Sequence, residues 1–177
     1  MEHRPFPDGR EPVRRSRRRD RSDARPHEHG PQPVILGVGT DIVDERRIRR
    51  SLDRFGDRFL NRIFTTAEQS AARMRGQTTL YLAKRFAAKE AVYKALTGAG
   101  VAGMGWKDAE ITNTDRGAPR VSLSGRCKTA LERLTPEGYN PAINLSLSDE
   151  PPFAMAFVVI SANAPSGATI EGTGLGE

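Results

Sequence analysis

"RFAAKEAVYKAL", Arg85 to Leu96, reads as one continuous helix carrying four charges among eight apolar residues. At 100° per residue, Phe86, Glu90 and Lys94 fall at successive i, i+4 positions along one stripe. Ala83 and Ala87 flank that stripe and keep it shallow around Glu90. Arg85 and Lys89 form a second i, i+4 pair, roughly 100° away. Taken locally, a Glu followed four residues later by a Lys is an ordinary helix pair worth about 0.3–0.5 kcal/mol. What sets this one apart is isolation, because Glu90 is the only acid between Ala71 and Lys107. A lone carboxylate among Arg85, Lys89 and Lys94 suits a site for a cation together with phosphates.

Upstream, "VILGVGTDIVD" (34–44) opens the folded part as a strand, with Val34, Leu36, Val38 and Ile42 expected on one face. Gly37, Gly39 and Asp41 share the other. Two missing side chains beside a carboxylate leave space for a ligand to approach the sheet. Alternatively, the strand ends at Thr40 and Asp41 caps the following turn. "GVGTD" is not a dinucleotide fingerprint, because it lacks the third glycine and the helix that should start there. As a pair, Asp41 and Glu90 suit Mg²⁺, which binds through one or two carboxylates with waters and substrate phosphates completing its octahedron.

The remaining elements follow from pattern. A strongly basic helix, Asp44 to Arg58, is expected to end near Gly56 and carries Arg46, Arg47, Arg49, Arg50, Arg54 and Arg58. "DRFLNRIF" is a short helical or irregular link. Thr65 or Thr66, with Glu68, gives a capping-box cue for the next helix. A helix from about Thr78 to Leu96 contains the opening stretch. "TGAGVAGMGW" is a glycine-rich loop, and "DAEITNT" and "PRVSL" are two strands around the turn "DRGA". "GRCKTALERL" is a helix. "AINLSLSD" and the buried strand "FAMAFVVI" form a hairpin through Pro151–Pro152. Helices mixed with largely antiparallel strands make an α+β domain over residues 34–162.

Composition narrows the partners. The net charge of +6 divides into about +3 on residues 1–33 and about +3 on the rest. Residues 1–33 are expected to be a disordered Arg-rich arm, with acids interrupting "RRSRRRDR" (14–21), and residues 163–177 a flexible tail. A nucleic-acid module would use that arm and the basic helix, but no aromatic stacking cluster is legible, so nucleic acid is not the expected partner. The single cysteine, Cys127, excludes an internal disulfide and any multi-cysteine metal site. All three histidines lie in the arm, at 3, 27 and 29, which excludes a Ser-His-Asp triad or histidine-ligated zinc in the body. No apolar run is long enough to span a bilayer and the basic start lacks an apolar stretch behind it. A cytoplasmic protein without membrane contact is the expectation.

"GVGTDIVDERRI" (37–48), "RFAAKEAVYKAL" (85–96) and "NLSLSD" (144–149) before "AMAFVVI" stand in a familiar order and spacing. They resemble the acyl-carrier-protein synthase type of 4′-phosphopantetheinyl transferase, from about Leu36 to Ile160. The second motif, F-A-A-K-E-A-x-x-K-A, is the specific one. The resemblance implies helices packed on a largely antiparallel sheet, with active sites at the interfaces of a homotrimer. It implies transfer of phosphopantetheine from coenzyme A to a serine of apo acyl carrier protein for fatty acid synthesis, with Mg²⁺ and release of 3′,5′-ADP.

By the same resemblance, Asp41 and Glu90 are the magnesium ligands and Lys94 contacts the coenzyme A phosphates or the transferring centre. Arg85 and Lys89 assist coenzyme binding, as do Ser146 and Ser148 of the third motif. Arg47 docks the acidic carrier, and Arg50, Arg54 and Arg58 extend that surface. One departure matters: Asn144 and Asp149 stand where the family commonly shows histidine. Glu90, Asp149 or a water on the magnesium must then take the serine proton. The departure also admits a catalytically dead scaffold of the same fold.

Overall fold

The computed structural model describes residues 32–165; the expected arm up to residue 31 and tail from residue 166 lie outside the described residues. Strand β1 (Val34–Asp44) leads into helix α1 (Glu45–Phe55). Asp44 caps α1, its side chain accepting from the Arg46 backbone N–H. The Arg46 guanidinium grips the same carboxylate and holds it below the usual range. Gly56, with φ +49°, then stops α1, because only glycine enters the left-handed region at little cost. The basic stretch therefore becomes two helices, and Arg58 sits on α2 (Asp57–Ile63) rather than on the first.

Helix α3 (Thr66–Arg73) begins with the capping box anticipated from Thr65 and Glu68. Helix α4 (Thr78–Leu96) follows, and a short 3₁₀ turn, Thr97–Ala99, opens the glycine-rich loop. Strands β2 (Ala109–Asn113) and β3 (Pro119–Leu123) pair as a small antiparallel sheet. Helix α5 (Gly125–Leu134) leads to β4 (Asn140–Glu150) and β5 (Phe153–Asn163). The main sheet is antiparallel in the order β1-β5-β4. The result is the α+β domain expected.

Helix α4 is the centre of the molecule. Twelve of its nineteen residues are buried, so it has no single apolar stripe and its few open positions are specific. It lies on the main sheet so closely that a Cβ on Gly39 would stand 1.9 Å from the Ala91 carbonyl oxygen, and one on Gly37 would stand 2.0 Å from that of Ala95. This corrects the expectation of open space for a ligand beside those glycines. The helix backbone fills it.

The other face of the sheet is apolar and open in the single chain. On β5, Ala154, Ala156, Val158 and Ile160 point inward and are 0–1% exposed, whereas Phe153, Met155 and Phe157 point outward and are 44–47% exposed. "FAMAFVVI" is therefore buried on one face only; its unbroken apolar run conceals a strict alternation. Val38 and Ile42 share that outer face through the register Ile42↔Met155. Leu36 does not, because an irregularity between Ile35 and Gly37 shifts the strand and lets Leu36 pack on the core. Among the described residues, no helix is long and apolar enough to cross a membrane.

Candidate active site

Asp41 lies within β1, not after it, on the face turned toward α4. The Lys94 ammonium donates to Asp41 Oδ1 at 2.8 Å and to the Thr40 carbonyl at 2.8 Å. Asp41 is 17% exposed at its side chain and Lys94 51%, so the pair sits at a rim. Glu90 lies one turn before Lys94. Burial, and then the Asp41 charge, push its carboxyl above the ordinary value, while Lys94 and Arg47 pull it back. Strand β1, helix α4 and helix α1 thus bring Asp41, Glu90, Lys94 and Arg47 into one electrostatic group.

That group fits a hard divalent cation. Lys94 pairs with Asp41 and also offsets part of the repulsion that the Asp41 charge exerts on Glu90. No cluster of three or more His, Cys, Asp or Glu able to hold a metal occurs among the described residues. Two carboxylates here would leave the other positions of such a cation to water and substrate oxygens, as is usual for Mg²⁺.

Other anticipated site residues lie elsewhere. Lys89 is fully buried and pairs with Glu68 at 3.0 Å, donating also to the carbonyls of Trp106 and Ala109. Burial pulls its pKa down and Glu68 opposes that. With all three donors engaged inside the core, Lys89 reaches no coenzyme, which corrects that expectation. Losing one partner would strand a buried charge at a cost of about 3–5 kcal/mol.

Arg85 is 2% exposed, lies 3.8 Å over the Tyr81 ring and bonds Asn113 Oδ1. Its Nε is buried and has no hydrogen-bond partner among the described residues. Asp149 is held by Lys84 at 2.7 Å, six residues before Glu90 on α4. That is roughly 9 Å along the helix axis, so within one chain Asp149 is not a neighbour of the carboxylate pair. Ser146 and Ser148 register with Phe157 and Met155 on the outer face of the sheet, opposite to Asp41. A single chain does not bring them to it.

The arginines expected to dock a carrier lie at the surface. Arg46 and Arg49 are spent on Asp44 and Glu45. Among the described residues, Arg47, Arg50, Arg54 and Arg58 make no salt bridge and are exposed. Arg47, Arg50 and Arg54 line an open cavity of ≈ 630 Å³. Arg58 lines a neighbouring one of ≈ 500 Å³ with Phe59, Phe86 and Trp106.

Sequence reading missed the aromatic wall of that second cavity. The Trp106 ring lies 5.0 Å from Phe86 and 5.4 Å from Tyr93, centroid to centroid. The only signal was a lone tryptophan at the end of the glycine-rich loop. Also unforeseen is a basic cavity of ≈ 440 Å³ lined by Arg75, Tyr81 and Lys84. Cys127 takes no part, since burial pushes its thiol up to about 12 and leaves it unreactive.

Known proteins are similar to this chain in sequence and fold. A family model described as the 4′-phosphopantetheinyl transferase superfamily matches residues 37–146. The holo-[acyl-carrier-protein] synthase of Xanthobacter autotrophicus is 48% identical over 135 residues, covering 76% of this chain and 99% of its own. The crystal structure of the holo-[acyl-carrier-protein] synthase of Neisseria meningitidis aligns with a TM-score of 0.57 at 36% identity, covering 71% of this chain and 98% of that one. A holo-(acyl-carrier-protein) synthase of Bacillus anthracis, solved in complex with CoA (3′,5′-ADP), aligns with a TM-score of 0.55 at 31% identity, covering 73% and 99%. Sequence motifs, fold and relatives agree: the chain belongs to the 4′-phosphopantetheinyl transferase superfamily, in its holo-[acyl-carrier-protein] synthase branch.

Proposed function

We propose that this chain transfers the 4′-phosphopantetheine group of coenzyme A to a serine of apo acyl carrier protein, in the cytoplasm and in support of fatty acid synthesis. The observation that carries the proposal is the meeting of Asp41, Glu90 and Lys94 from a strand and a helix far apart in sequence. Asp41 and Glu90 would hold Mg²⁺. When bound, the metal supplies neutralisation of charge on the pyrophosphate oxygens.

The chain's own groups do the rest. The serine Oγ attacks the β-phosphorus of the coenzyme, forming the new O–P bond as the bond to the bridging oxygen breaks. The electron pair leaves with 3′,5′-ADP, whose departing oxygen Lys94 stabilises. Lys94 must then turn from Asp41, which its half-exposed side chain allows. The serine proton passes to Glu90, the carboxylate one turn before Lys94 on α4. Asp149, tied to Lys84, is the less suited acceptor. Lys84 stands about 9 Å before Glu90 along α4, and the basic cavity it lines with Arg75 suits the coenzyme's outer phosphate. The decisive assay incubates the protein with apo carrier, coenzyme A and Mg²⁺. A carrier that never gains the phosphopantetheine mass sinks the proposal and favours a dead scaffold.

Docking through α1 and α2 predicts an electrostatic KM. Arg50→Glu with Arg54→Glu is expected to raise the KM for carrier roughly tenfold at low salt and to leave kcat within about twofold. In the unaltered protein, KM should climb with ionic strength. A carrier KM indifferent to both changes removes these arginines from docking.

The outer sheet face supports assembly as a homotrimer with shared sites. An apolar patch bearing Val38, Ile42, Met155 and Phe157 at 44–60% exposure is more than a lone chain ordinarily leaves open. Ser146 and Ser148 lie on that face, so a neighbouring copy is their route to another chain's phosphates. Phe157→Asp is expected to give a monomer by analytical ultracentrifugation, with transfer lost. A fully active monomer would falsify the shared site.

A further inference from the structure

We propose that the buried Lys89–Glu68 pair is a positioning device for the transfer site, fixing the Trp106 indole as a wall beside Glu90. The inference rests on the transferase reading above and assigns the pair a task within it.

Lys89 and Glu90 are sequence neighbours that face opposite duties. Lys89 turns into the core, where it pairs with Glu68 Oε2 at 3.0 Å and donates to the Trp106 carbonyl at 2.8 Å and to the Ala109 carbonyl. Glu68 in turn accepts from the backbone N–H of Thr65 at 2.8 Å and of Ile111 at 2.9 Å. One ion pair thus fastens the start of α3, the start of β2 and the end of the glycine-rich loop to one turn of α4. Every donor of the ammonium is used. A buried pair of this kind adds little stability over apolar residues of equal size. Its consequence is geometric.

That consequence falls on Trp106. Phe86 is four residues before Glu90 and Tyr93 three after it, so all three share one helix face. Trp106 packs on both aromatics, at 5.0 and 5.4 Å, and so crosses the turn of α4 that carries Lys89 and Glu90. Tyr93 adds a second tether by donating its hydroxyl to the Gly105 carbonyl. With Phe86, Trp106 also lines the ≈ 500 Å³ cavity that holds Arg58. A wall there would keep bulk water from one side of Glu90. A loop of four glycines, Gly98, Gly100, Gly103 and Gly105, has little stiffness of its own, so the position of the indole depends on its anchors.

Trp106 is the only tryptophan, which makes intrinsic fluorescence a direct reporter. The test is Lys89→Met combined with Glu68→Gln, which removes both charges together and leaves neither stranded. The variant is expected to keep its helical circular dichroism, shift its emission to longer wavelength and become about twofold more quenchable by acrylamide. Its kcat should fall roughly tenfold, as expected for a displaced catalytic wall, with the carrier KM unchanged. Trp106→Ala should lose kcat to the same degree, and all three changes together should lose no more. Unaltered quenching, unaltered kcat, or losses that multiply would each overturn the proposal. Should the paired variant fail to fold, Trp106→Ala alone decides: lost kcat at constant carrier KM supports the wall, and wild-type kcat overturns it. A wild-type protein that transfers nothing ends the transferase reading instead. The fluorescence comparison still decides whether the pair places Trp106.

Discussion

Glu90→Gln is expected to reduce phosphopantetheine transfer by roughly 10²–10³-fold while leaving the metal-free protein folded and no less stable than wild type. The two outcomes have one cause. Glu90 is half-buried beside Asp41, and both influences push its carboxyl above the ordinary value. An acid whose folded pKa exceeds its unfolded one binds protons more tightly when folded. Its ionisation therefore costs stability, and that cost is fully present above the folded pKa and vanishes as the pH falls below the unfolded value. A neutral glutamine of the same shape carries no such cost at neutral pH.

In the proposed mechanism, what the glutamine loses is a ligand and a base. Mg²⁺ should raise the melting temperature of wild type, because an ion that binds only the native state stabilises it by mass action. It should leave Glu90→Gln nearly unchanged. For wild type, that metal-induced rise should shrink as the pH falls through the Glu90 pKa, since protons then compete for the carboxylate pair. Differential scanning fluorimetry with and without Mg²⁺, beside the mass-based transfer assay, checks each part. Retained transfer in the glutamine variant would remove Glu90 from the chemistry.

Gly39→Ala is expected to be the most damaging single methyl in the domain, at about 3 kcal/mol, the upper end of ordinary overpacking. The added carbon would meet the Ala91 carbonyl oxygen at 1.9 Å, with its carbon at 2.9 Å, and backbone cannot rotate away as a side chain can. Helix α4 must lift from β1. Because Asp41 and Glu90 stand on those two elements, the same shift should part the carboxylates and lower transfer. Gly76→Ala is the control: nothing lies within 4 Å of its Cβ, so a change within about 0.5 kcal/mol is expected. Urea unfolding of the two variants separates the effects. Equal midpoints would refute the close packing of α4 on β1.

Much of this architecture was legible in the sequence because it is written in short-range periodicities. The 3.6-residue period set Phe86, Glu90 and Lys94 on one stripe, and α4 displays them so. The capping box at Thr65 and Glu68 formed as its spacing required. Gly56 ended α1 where a left-handed residue was needed. Carboxylate chemistry paired Asp41 with Glu90, the resemblance matched both to the family's metal ligands, and the fold brings their elements together.

Other readings failed where an element's surroundings, not its own pattern, decide. Periodicity shows that Arg85 and Lys89 share a face of α4. It does not show that α3, β2 and the loop before β2 close over that face and turn the cations into core anchors. Likewise, glycines opposite an aspartate are compatible with ligand space or with a close helix, and only the Ala91 and Ala95 carbonyls distinguish the two. The alternation in β4 puts Ser146 and Ser148 on one face, but pairing with Phe157 and Met155 across β5 is what turns that face away from Asp41. The sequence by itself determined the elements, the stripe of chemistry and the family, because those depend on spacing along the chain. Which charges work and which are walled in was decided by the tertiary structure, because burial is set by contacts between segments that spacing does not encode.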